Sequence, residues 1–455
     1  MTSSILIFPS IPTGNHRRIE LAGFDLWKSA RIDNVFVYPS EIHIDQFNQA
    51  LSRTLSLWPL IAGHIHIDDT ERYFIEMSDD NGIPVTLVKN NELKKWPLDS
   101  KVVVELMENP LLPFIDGVQA EKLFDKTQNE PFVRIKLTHL VQSDEWVLGV
   151  SWPHVLGDAA AFLHFLNTIS CFYQQNKSLE PLPPVFERRL WRKDEADESF
   201  LAVMKQQRDA KPTEETMKTF LADQLTYDPI NLHFSGEQLA KLQTLAGGNH
   251  LTIQDALTAY LISTLNRFCY SNNDQRRIIR TNTTVNYRGV SDTIAPKGQV
   301  SNALVMMLSD DFDDPYSLSN IATTIRRSIN KSREPKFLET WIATADGIMR
   351  RNMKNDKLVD LGLFSNEVVV NSNLRYDWAN LVDLGFTDRC RFYTAWSGAL
   401  YLRTFRLNPI LDNGQWLPRD RDGAEVTFRI EKDLKEIFLD AWKRDVNENF
   451  ENVKK

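Results

Sequence analysis

A histidine and an aspartate lie four positions apart in the segment SWPHVLGDAAAF, residues 151–162. His154 follows a proline, and Gly157 precedes Asp158, in an arrangement that packing alone does not explain. Neutral imidazole accepts a proton near neutral pH, so a histidine fixed in a tight turn suits general-base catalysis. The alternative is a loop histidine whose ring is satisfied by a neighbouring group. The position of His154 at the end of a predicted strand favours the base.

Other kinds of active site lack the residues that they require. The proline and the glycine around His154 argue against a metal site formed with Asp158 on one helical face, and the sequence contains no HExxH motif. His64 and His66 alternate on one face of a predicted strand, where a partly exposed strand pair is a simpler interpretation than a metal site. Neither a GxSxG turn nor a glycine-rich phosphate loop is found. We therefore predict no metal.

The residues around His154 predict a strand, a turn and a helix. The segments FVRIKLTHL (132–140) and WVLGVSW (146–152) alternate between apolar and polar residues, and the polar turn VQSDE joins them into a hairpin. Asp158 suits the N-cap of a following helix, whose apolar residues repeat at helical spacing. Gly157 permits an unusual backbone angle in the turn. His154 is thereby predicted to lie between the strand and the helix.

Both halves of the chain mix predicted strands and helices. Residues 45–63 predict a helix capped by Asp45 and ended by a proline, and HIHIDD with ERYFIEM predicts a hairpin. In the second half, Thr252 and Asp255 resemble a capping box, while ALYLRTFRL and AEVTFRI predict a strand pair. Proline-bearing, charged sequence predicts a crossover between the halves. We expect two α/β domains, over 1–185 and 226–455, joined by a linker over 186–225.

Composition excludes several classes of protein. The 455 residues are 42% hydrophobic, as in globular proteins with packed cores. Acidic residues outnumber basic ones by 61 to 53, and the short run RRIIR is no basic patch, so we predict no nucleic-acid partner. Three scattered cysteines fit a reducing compartment, and we expect a cytoplasmic protein with no secretory signal and no membrane span.

The chain resembles the BAHD acyltransferases, which transfer an acyl group from coenzyme A to an alcohol or an amine. HVLGDA is similar to the family's HxxxDG motif, with Ala159 in place of the last glycine. DLGFT, at 383–387, is similar to DFGWG and keeps its aspartate, its first glycine and an aromatic residue. LSRTLSLWPLIAGHI, TTVNYRGV and GQVSNA resemble further family segments in the same order. The departures point to a branch away from the plant enzymes, fungal or from another microbial lineage.

The resemblance implies a fold and a reaction. The fold is two chloramphenicol-acetyltransferase-like α/β domains, each a mixed β-sheet flanked by helices, with a channel between them. The reaction is direct transfer of an acyl group from acyl-CoA, as co-substrate, to a hydroxyl of a small molecule, with His154 as base. Transfer to an amine or amino sugar stays open, and so does a catalytically silent binding protein. Pro153 stands where carrier-dependent condensation domains have a first histidine. We expect no permanently bound cofactor and a monomer.

The resemblance also implies roles for residues around the base. Asn371 and Ser372 are alternative donors to the oxyanion of the tetrahedral intermediate. Asp158 is expected to fix the catalytic loop together with Gly157 rather than to react, commonly by binding an arginine. Asp383 is expected to form a structural ion pair with Arg288.

Overall fold

Both halves of the chain contain strands and helices in a computed structural model that describes residues 2–12, 16–78, 80–105, 110–125, 127–175, 182–271, 273–359, 366–451 and 453. The strands are β1 (Thr2–Ile7), β2 (Arg18–Glu20), β3 (Arg31–Tyr38), β4 (His64–Ile67), β5 (Tyr73–Glu76), β6 (Ile83–Asn90), β7 (Val104–Glu105), β8 (Arg134–Leu140), β9 (Glu145–Pro153), β10 (Lys211–Pro212), β11 (Tyr227–Phe234), β12 (Arg280–Asn286), β13 (Leu304–Leu308), β14 (Lys357–Leu358), β15 (Glu367–Ser372), β16 (Arg391–Ala395), β17 (Tyr401–Arg406), β18 (Leu411–Asp412), β19 (Gln415–Trp416) and β20 (Ala424–Glu431). The α-helices are α1 (Ile44–Leu57), α2 (Ala159–Tyr173), α3 (Lys205–Arg208), α4 (Thr213–Thr226), α5 (Gly236–Ala246), α6 (Ile253–Thr264), α7 (Leu318–Ser332), α8 (Pro335–Lys354), α9 (Trp378–Leu381) and α10 (Lys435–Asn447).

Two large mixed sheets carry the helices. The first has the strand order β1-β6-β8-β9-β3-β16-β7, and the second has the order β11-β20-β17-β15-β12-β13. Each contains parallel pairs among antiparallel ones, such as β6 with β8 in the first and β12 with β15 in the second. In the described parts of the chain, the remaining strands form a three-stranded sheet, β2-β5-β4, and two two-stranded ribbons. The predicted α/β architecture of two mixed sheets flanked by helices is confirmed.

The predicted strand, turn and helix around the histidine are present. Strands β8 and β9 form the expected antiparallel hairpin, and β9 ends at Pro153. Helix α2 buries an apolar stripe that includes Phe162, Phe165 and Ile169 against the first sheet's core. This stripe fixes the orientation of α2 about its own axis. The turn that contains His154 is therefore anchored by β9 on one side and by α2 on the other.

Other local predictions meet the structure with one exception. Strands β4 and β5 form the predicted hairpin, and β17 pairs with β20 as expected. The capping box of Thr252 and Asp255 begins α6. Asp45 is the exception, because His43 holds the N-cap position of α1 and Asp45 lies inside the first turn. A carboxylate there still faces the positive end of the helix dipole.

The two halves of the sequence are interleaved. Strand β16 belongs to the second half of the chain but pairs with β3 of the first sheet, with Phe392 opposite Phe36. In return, the backbone amides of Val103 and Val104 donate to the buried carboxylate of Glu425 on β20, at 2.9 and 2.8 Å. The domain limits 1–185 and 226–455 stay a prediction, and the first sheet draws one strand from beyond its limit.

The segment 186–225 has structure of its own. It contains α3 and most of α4, and Met204 is buried in a core cluster with Trp341 of α8. Arg188 makes a buried ion pair with Asp25, described below. The segment therefore packs against both halves while it crosses between them. Among the described residues, no helix has the length and apolarity needed to cross a bilayer.

Candidate functional site

A cavity of about 490 Å³ lies between the two large sheets. Its wall brings together residues from distant parts of the chain: His154, Asp158, Asn371, Ser372, Tyr401 and Arg403. Four of these were predicted from the sequence to belong to one site. Asp383 and Arg288 are not among the residues that line this cavity. A larger cleft of about 1190 Å³ lies between the ends of α5, α7 and α10, and none of the predicted site residues lines it.

Backbone hydrogen bonds hold His154 in the turn between β9 and α2. Its amide donates to the carbonyl of Ala30 at 2.8 Å, and its own carbonyl accepts from the amide of Gly157 at 3.0 Å. The ring packs beside the indole of Trp27, with 5.7 Å between ring centroids. The side chain is half-buried and reaches the cavity. The imidazole is therefore fixed by its surroundings and open to a small molecule on one side.

Gly157 has to be glycine in this turn. Its φ of 148° lies in a region that residues with a Cβ rarely adopt. A Cβ at this position would lie 2.8 Å from Cβ of Ala161 and 2.9 Å from the carbonyl oxygen of Ser301. The turn thus brings the catalytic loop against the segment around Ser301, which belongs to the second half of the chain.

Asp158 is fully occupied by structural contacts. One carboxylate oxygen, Oδ1, accepts from the amides of Ala160 and Ala161 at 3.0 and 3.1 Å, as expected of the N-cap. The other, Oδ2, accepts from Nη1 of Arg288 at 2.8 Å and from the amide of Ala303 at 3.1 Å. Four donors surround the carboxylate, so it is held in the wall of the site as an anchor.

The predicted ion pair between Arg288 and Asp383 is wrong. Arg288 pairs with Asp158, and both side chains are buried. The guanidinium also donates to the carbonyls of Gln299 and Ser301 at 2.7 and 2.6 Å. Arg288 therefore joins the catalytic turn to the segment 299–303, because the carboxylate that it meets is the N-cap of α2.

Asp383 instead stabilises its own loop. Its Oδ1 accepts from the amides of Gly385 and Phe386 at 2.8 and 2.5 Å, and its Oδ2 accepts from the hydroxyl of Thr387. The carbonyl of Asp383 accepts from the side chain of Gln174, at the end of α2. The carboxylate of Asp383 is engaged within its own loop, and the guanidinium of Arg288 is engaged by Asp158 and two backbone carbonyls, and this is the physical reason for the correction.

Asn302 sets the tautomer of His154. Its Oδ1 lies 3.1 Å from Nδ1 of the histidine, while its Nδ2 donates to the carbonyl of His154 at 2.7 Å and to Asp25 at 3.3 Å. Turning the amide over would place its oxygen against two acceptors, so we assign Oδ1 to the histidine side. Nδ1 then carries the proton, and the lone pair is on Nε2. No described residue hydrogen-bonds Nε2.

Two further residues position Asn302. Asp25 is buried and accepts from the amide of Asn302 at 2.8 Å through Oδ1. Its Oδ2 accepts from Nε of Arg188 at 2.6 Å, and both side chains of this pair are almost inaccessible to solvent. A paired and hydrogen-bonded buried carboxylate is rigid, so this contact fixes the amide that orients His154.

Burial lowers the pKa of His154 below its ordinary value. The hydrogen bond to Asn302 and the charge of Asp158 raise it, and burial has the larger effect. A lowered pKa keeps the imidazole neutral and able to accept a proton at neutral pH.

The two oxyanion candidates have different hydrogen-bond partners. Both end β15 at the cavity wall. The hydroxyl of Ser372 donates to Oε1 of Gln254 at 2.8 Å, so its proton is committed. Nδ2 of Asn371 donates to the hydroxyl of Tyr401 at 3.1 Å, which uses one of its two protons. Asn371 keeps a free donor, and so does Tyr401 when it accepts this bond.

In the described part of the chain, no group of three histidine, cysteine or acidic side chains is arranged so that it could hold a metal ion. His64 and His66 both lie near Glu76, at 3.9 and 4.0 Å, on the small sheet β2-β5-β4, and neither histidine lines the cavity.

Several residues that position the site were not predicted. Asn302 lies in GQVSNA, a segment with a family resemblance but no role assigned to it. Asp25, Arg188 and Trp27 occupy segments without any motif. Arg403 alternates with apolar residues, and this pattern predicted the strand. The pattern did not predict that the side chain of Arg403 would line the cavity.

Comparisons with known proteins agree on the fold and the family. A sequence model of the Transferase family matches residues 1–376. No curated protein sequence matches the chain. Vinorine synthase has a similar structure at 14% identity, with 96% of each chain covered and a TM-score of 0.62.

Two other solved structures are similar over nearly their full length. The TRI101 protein of F. graminearum, in complex with coenzyme A and deoxynivalenol, is 13% identical, with 95% of this chain and 98% of that chain covered and a TM-score of 0.62. The X-domain from teicoplanin biosynthesis is 12% identical, with 98% of each chain covered and a TM-score of 0.55. Such identities show a shared fold. The family model matches most of the chain, and together with the similar structures it shows that this chain belongs to the Transferase family of BAHD acyltransferases and is an acyltransferase.

Proposed function

We propose that the protein transfers an acyl group from a coenzyme A thioester to a hydroxyl of a small molecule, with His154 as the general base. The observation that carries the proposal is the imidazole in the cavity wall, with Nδ1 bound to Asn302 and Nε2 without a described partner. The TRI101 structure with coenzyme A and a small molecule supports the choice of donor and the size of acceptor.

The reaction follows from this geometry. Nε2 of His154 takes the proton of the acceptor hydroxyl while the hydroxyl oxygen attacks the thioester carbonyl carbon. The resulting tetrahedral intermediate carries a negative oxygen, to which the free donor of Asn371 is directed in this proposal. Collapse breaks the carbon–sulfur bond, and the imidazolium returns the proton to the departing thiolate. A positioned base contributes roughly 10²–10⁴-fold to such a reaction.

Charge in the cavity favours a hydroxyl over an amine. An amine acceptor is mostly protonated at neutral pH, and an ammonium would enter a cavity whose wall includes the guanidinium of Arg403, for which the described residues supply no ion-pair partner. Like charges in a partly desolvated site repel each other. A hydroxyl brings no charge. We also expect a cytoplasmic monomer, and size-exclusion chromatography tests the oligomeric state.

A panel of acyl-CoA donors against alcohols and amines tests the proposal, with release of free thiol as the readout. We expect turnover with at least one alcohol and loss of nearly all of it in His154→Ala. His139→Ala is the matched control, because His139 stacks on Trp146 of the first sheet outside the cavity. Near-normal turnover in a folded His154→Ala variant would refute the mechanism. Turnover with amines alone would replace the hydroxyl acceptor, and no turnover with any pair would favour a binding protein.

A further inference from the structure

Among the residues that the structure describes, four charged side chains line the cavity that contains His154. Arg31 and Asp33 pair with each other, with 2.9 Å between Nε and Oδ2. Asp158 pairs with Arg288. The fourth, Arg403, has no carboxylate within 4.0 Å among the residues that the structure describes. The wall therefore carries one positive charge that no ion pair neutralises.

The position of Arg403 relates it to the reacting groups. It lies on β17, directly beside Asn371 on the parallel strand β15. Side chains at matched positions of neighbouring strands project to the same face of a sheet. Both residues line the cavity, so the guanidinium occupies the same wall as the proposed oxyanion donor.

The guanidinium uses only one of its nitrogens for structure. Nη1 donates to the carbonyls of Ala395, at 2.6 Å, and of Trp396. Nε and Nη2 have no hydrogen-bond partner among the described residues. These two nitrogens form the edge with which arginine binds a carboxylate through two parallel hydrogen bonds. The anchored nitrogen holds the group in place, and the unused edge remains available.

Neighbouring groups do not supply the missing anion. Glu425, on β20, is the acidic side chain whose charge acts on Arg403, but its oxygens accept from the amides of Val103 and Val104 and from His233. The ring of Phe405 lies 5.0 Å from Cζ of Arg403. Burial lowers the pKa of Arg403 to about 10, although the charges of Tyr401 and Glu425 raise it. The group stays protonated at neutral pH while partly deprived of water.

We propose that Arg403 binds a carboxylate carried by one of the two substrates, and so selects either an acyl chain or an acceptor that ends in a carboxylate. The inference rests on the proposed function, since it gives the class of molecule that enters the same cavity. Desolvated cations are stabilised strongly by a paired anion, so a carboxylate that reaches Nε and Nη2 gains more than a neutral group of the same shape.

A purely structural role for Arg403 is the competing explanation. Trp396 has a φ of 76°, which is rare for a bulky residue, and Nη1 of Arg403 contacts its carbonyl. If the arginine only held this turn, every ligand would lose affinity alike when it is replaced. A carboxylate-binding role changes the difference between charged and neutral ligands, and the experiment measures that difference.

Calorimetric binding to the full chain, without turnover, uses two matched pairs of probes. Malonyl-CoA against butyryl-CoA tests the acyl side, and 3-hydroxybenzoate against its methyl ester tests the acceptor side. We expect the carboxylate member of one pair to bind roughly tenfold or more tightly in the wild-type protein. Arg403→Gln should bring that ratio close to one. Arg406→Gln is the matched control, because Arg406 lies on the same strand, contacts Arg421 and Asp422, and is outside the cavity wall.

Three results would overturn the inference: no preference for the carboxylate in either pair, an undiminished preference in Arg403→Gln, or equal weakening of both members of the pair. If Arg403→Gln does not fold, Arg403→Lys decides, because it keeps the charge, loses the two-nitrogen edge and should reduce the preference severalfold. Binding is read without catalysis, so a carboxylate preference with no transfer to any acceptor refutes the proposed function alone. Transfer without any such preference refutes this inference alone.

Discussion

Replacing Asp158 and Arg288 singly and together tests the anchor behind the catalytic turn. Their side chains are 6% and 8% exposed, and the carboxylate accepts from the guanidinium and three backbone amides. Removing one partner of a buried ion pair costs about 3–5 kcal/mol, and loss of the N-cap adds about 1 kcal/mol in Asp158→Ala. We expect Asp158→Ala to be the more destabilising of the two single variants.

The double variant should lose less free energy of unfolding than the two single variants lose in sum. The second replacement removes the charge that the first left unpaired, so the free energies of unfolding should couple by about 0.5–3 kcal/mol. Urea unfolding, followed by tryptophan fluorescence and checked for reversibility, gives the four values. Additivity within about 0.5 kcal/mol would refute the pairing. The same cycle with Asp383→Ala and Arg288→Ala is the control and should be additive, because these two residues share no hydrogen bond.

Three further predictions concern the groups around the base. Because burial lowers the pKa of His154, the acid limb of the kcat/KM profile should lie below about pH 6.5. Asn302→Ala should move this limb to still lower pH, because it removes a contact that raises the pKa of His154. An acid limb above about pH 6.5 would contradict the burial argument. The same sign holds for stability, since the folded chain resists protonation of His154 and that contribution is lost as the pH falls below about 6.5. Gly157→Ala should lower the free energy of unfolding by about 1–3 kcal/mol in urea titrations, because the φ of Gly157 is 148° and a Cβ would meet Ala161 and Ser301. An unchanged urea midpoint would show that the turn accepts a side chain without strain. In the thiol-release assay, Asn371→Ala should reduce kcat roughly 10²–10³-fold. Ser372→Ala should reduce kcat far less, because the hydroxyl of Ser372 already donates its proton to Gln254. A larger loss of kcat in Ser372→Ala than in Asn371→Ala would assign the oxyanion role to the serine.

Local pattern predicted the strand, turn and helix around His154, because the signals that specify them are neighbours in sequence. The N-cap role of Asp158 and the unusual backbone angle of Gly157 follow from positions a few residues apart. The partner of Arg288 does not follow in this way. Asp158 and Asp383 both suit a buried arginine by type, and only the path of the chain decides which of them lies within reach.

The supporting groups of the site were beyond sequence reasoning for the same reason. Asp25 and Arg188 act on Asn302 from segments far apart in the chain, and no periodicity relates them. Arg403 and Arg406 lie three positions apart on one strand, so alternation places them on opposite faces. Alternation does not say which face borders the cavity. That choice depends on how the two sheets pack.

The pairing of β16 with β3 has a consequence for how the chain folds during synthesis. Val37 of β3 pairs with Arg391, so the first sheet lacks this neighbour until most of the chain has left the ribosome. Until then β3 presents an open edge of apolar residues to other chains, and such edges are templates for aggregation. A fragment that stops before residue 391 should share this exposure and misassemble, whereas a chain cut in the crossover should stay associated. We expect the yield of the protein in cells to depend on how quickly its last seventh, from residue 391 onward, is made and pairs with β3.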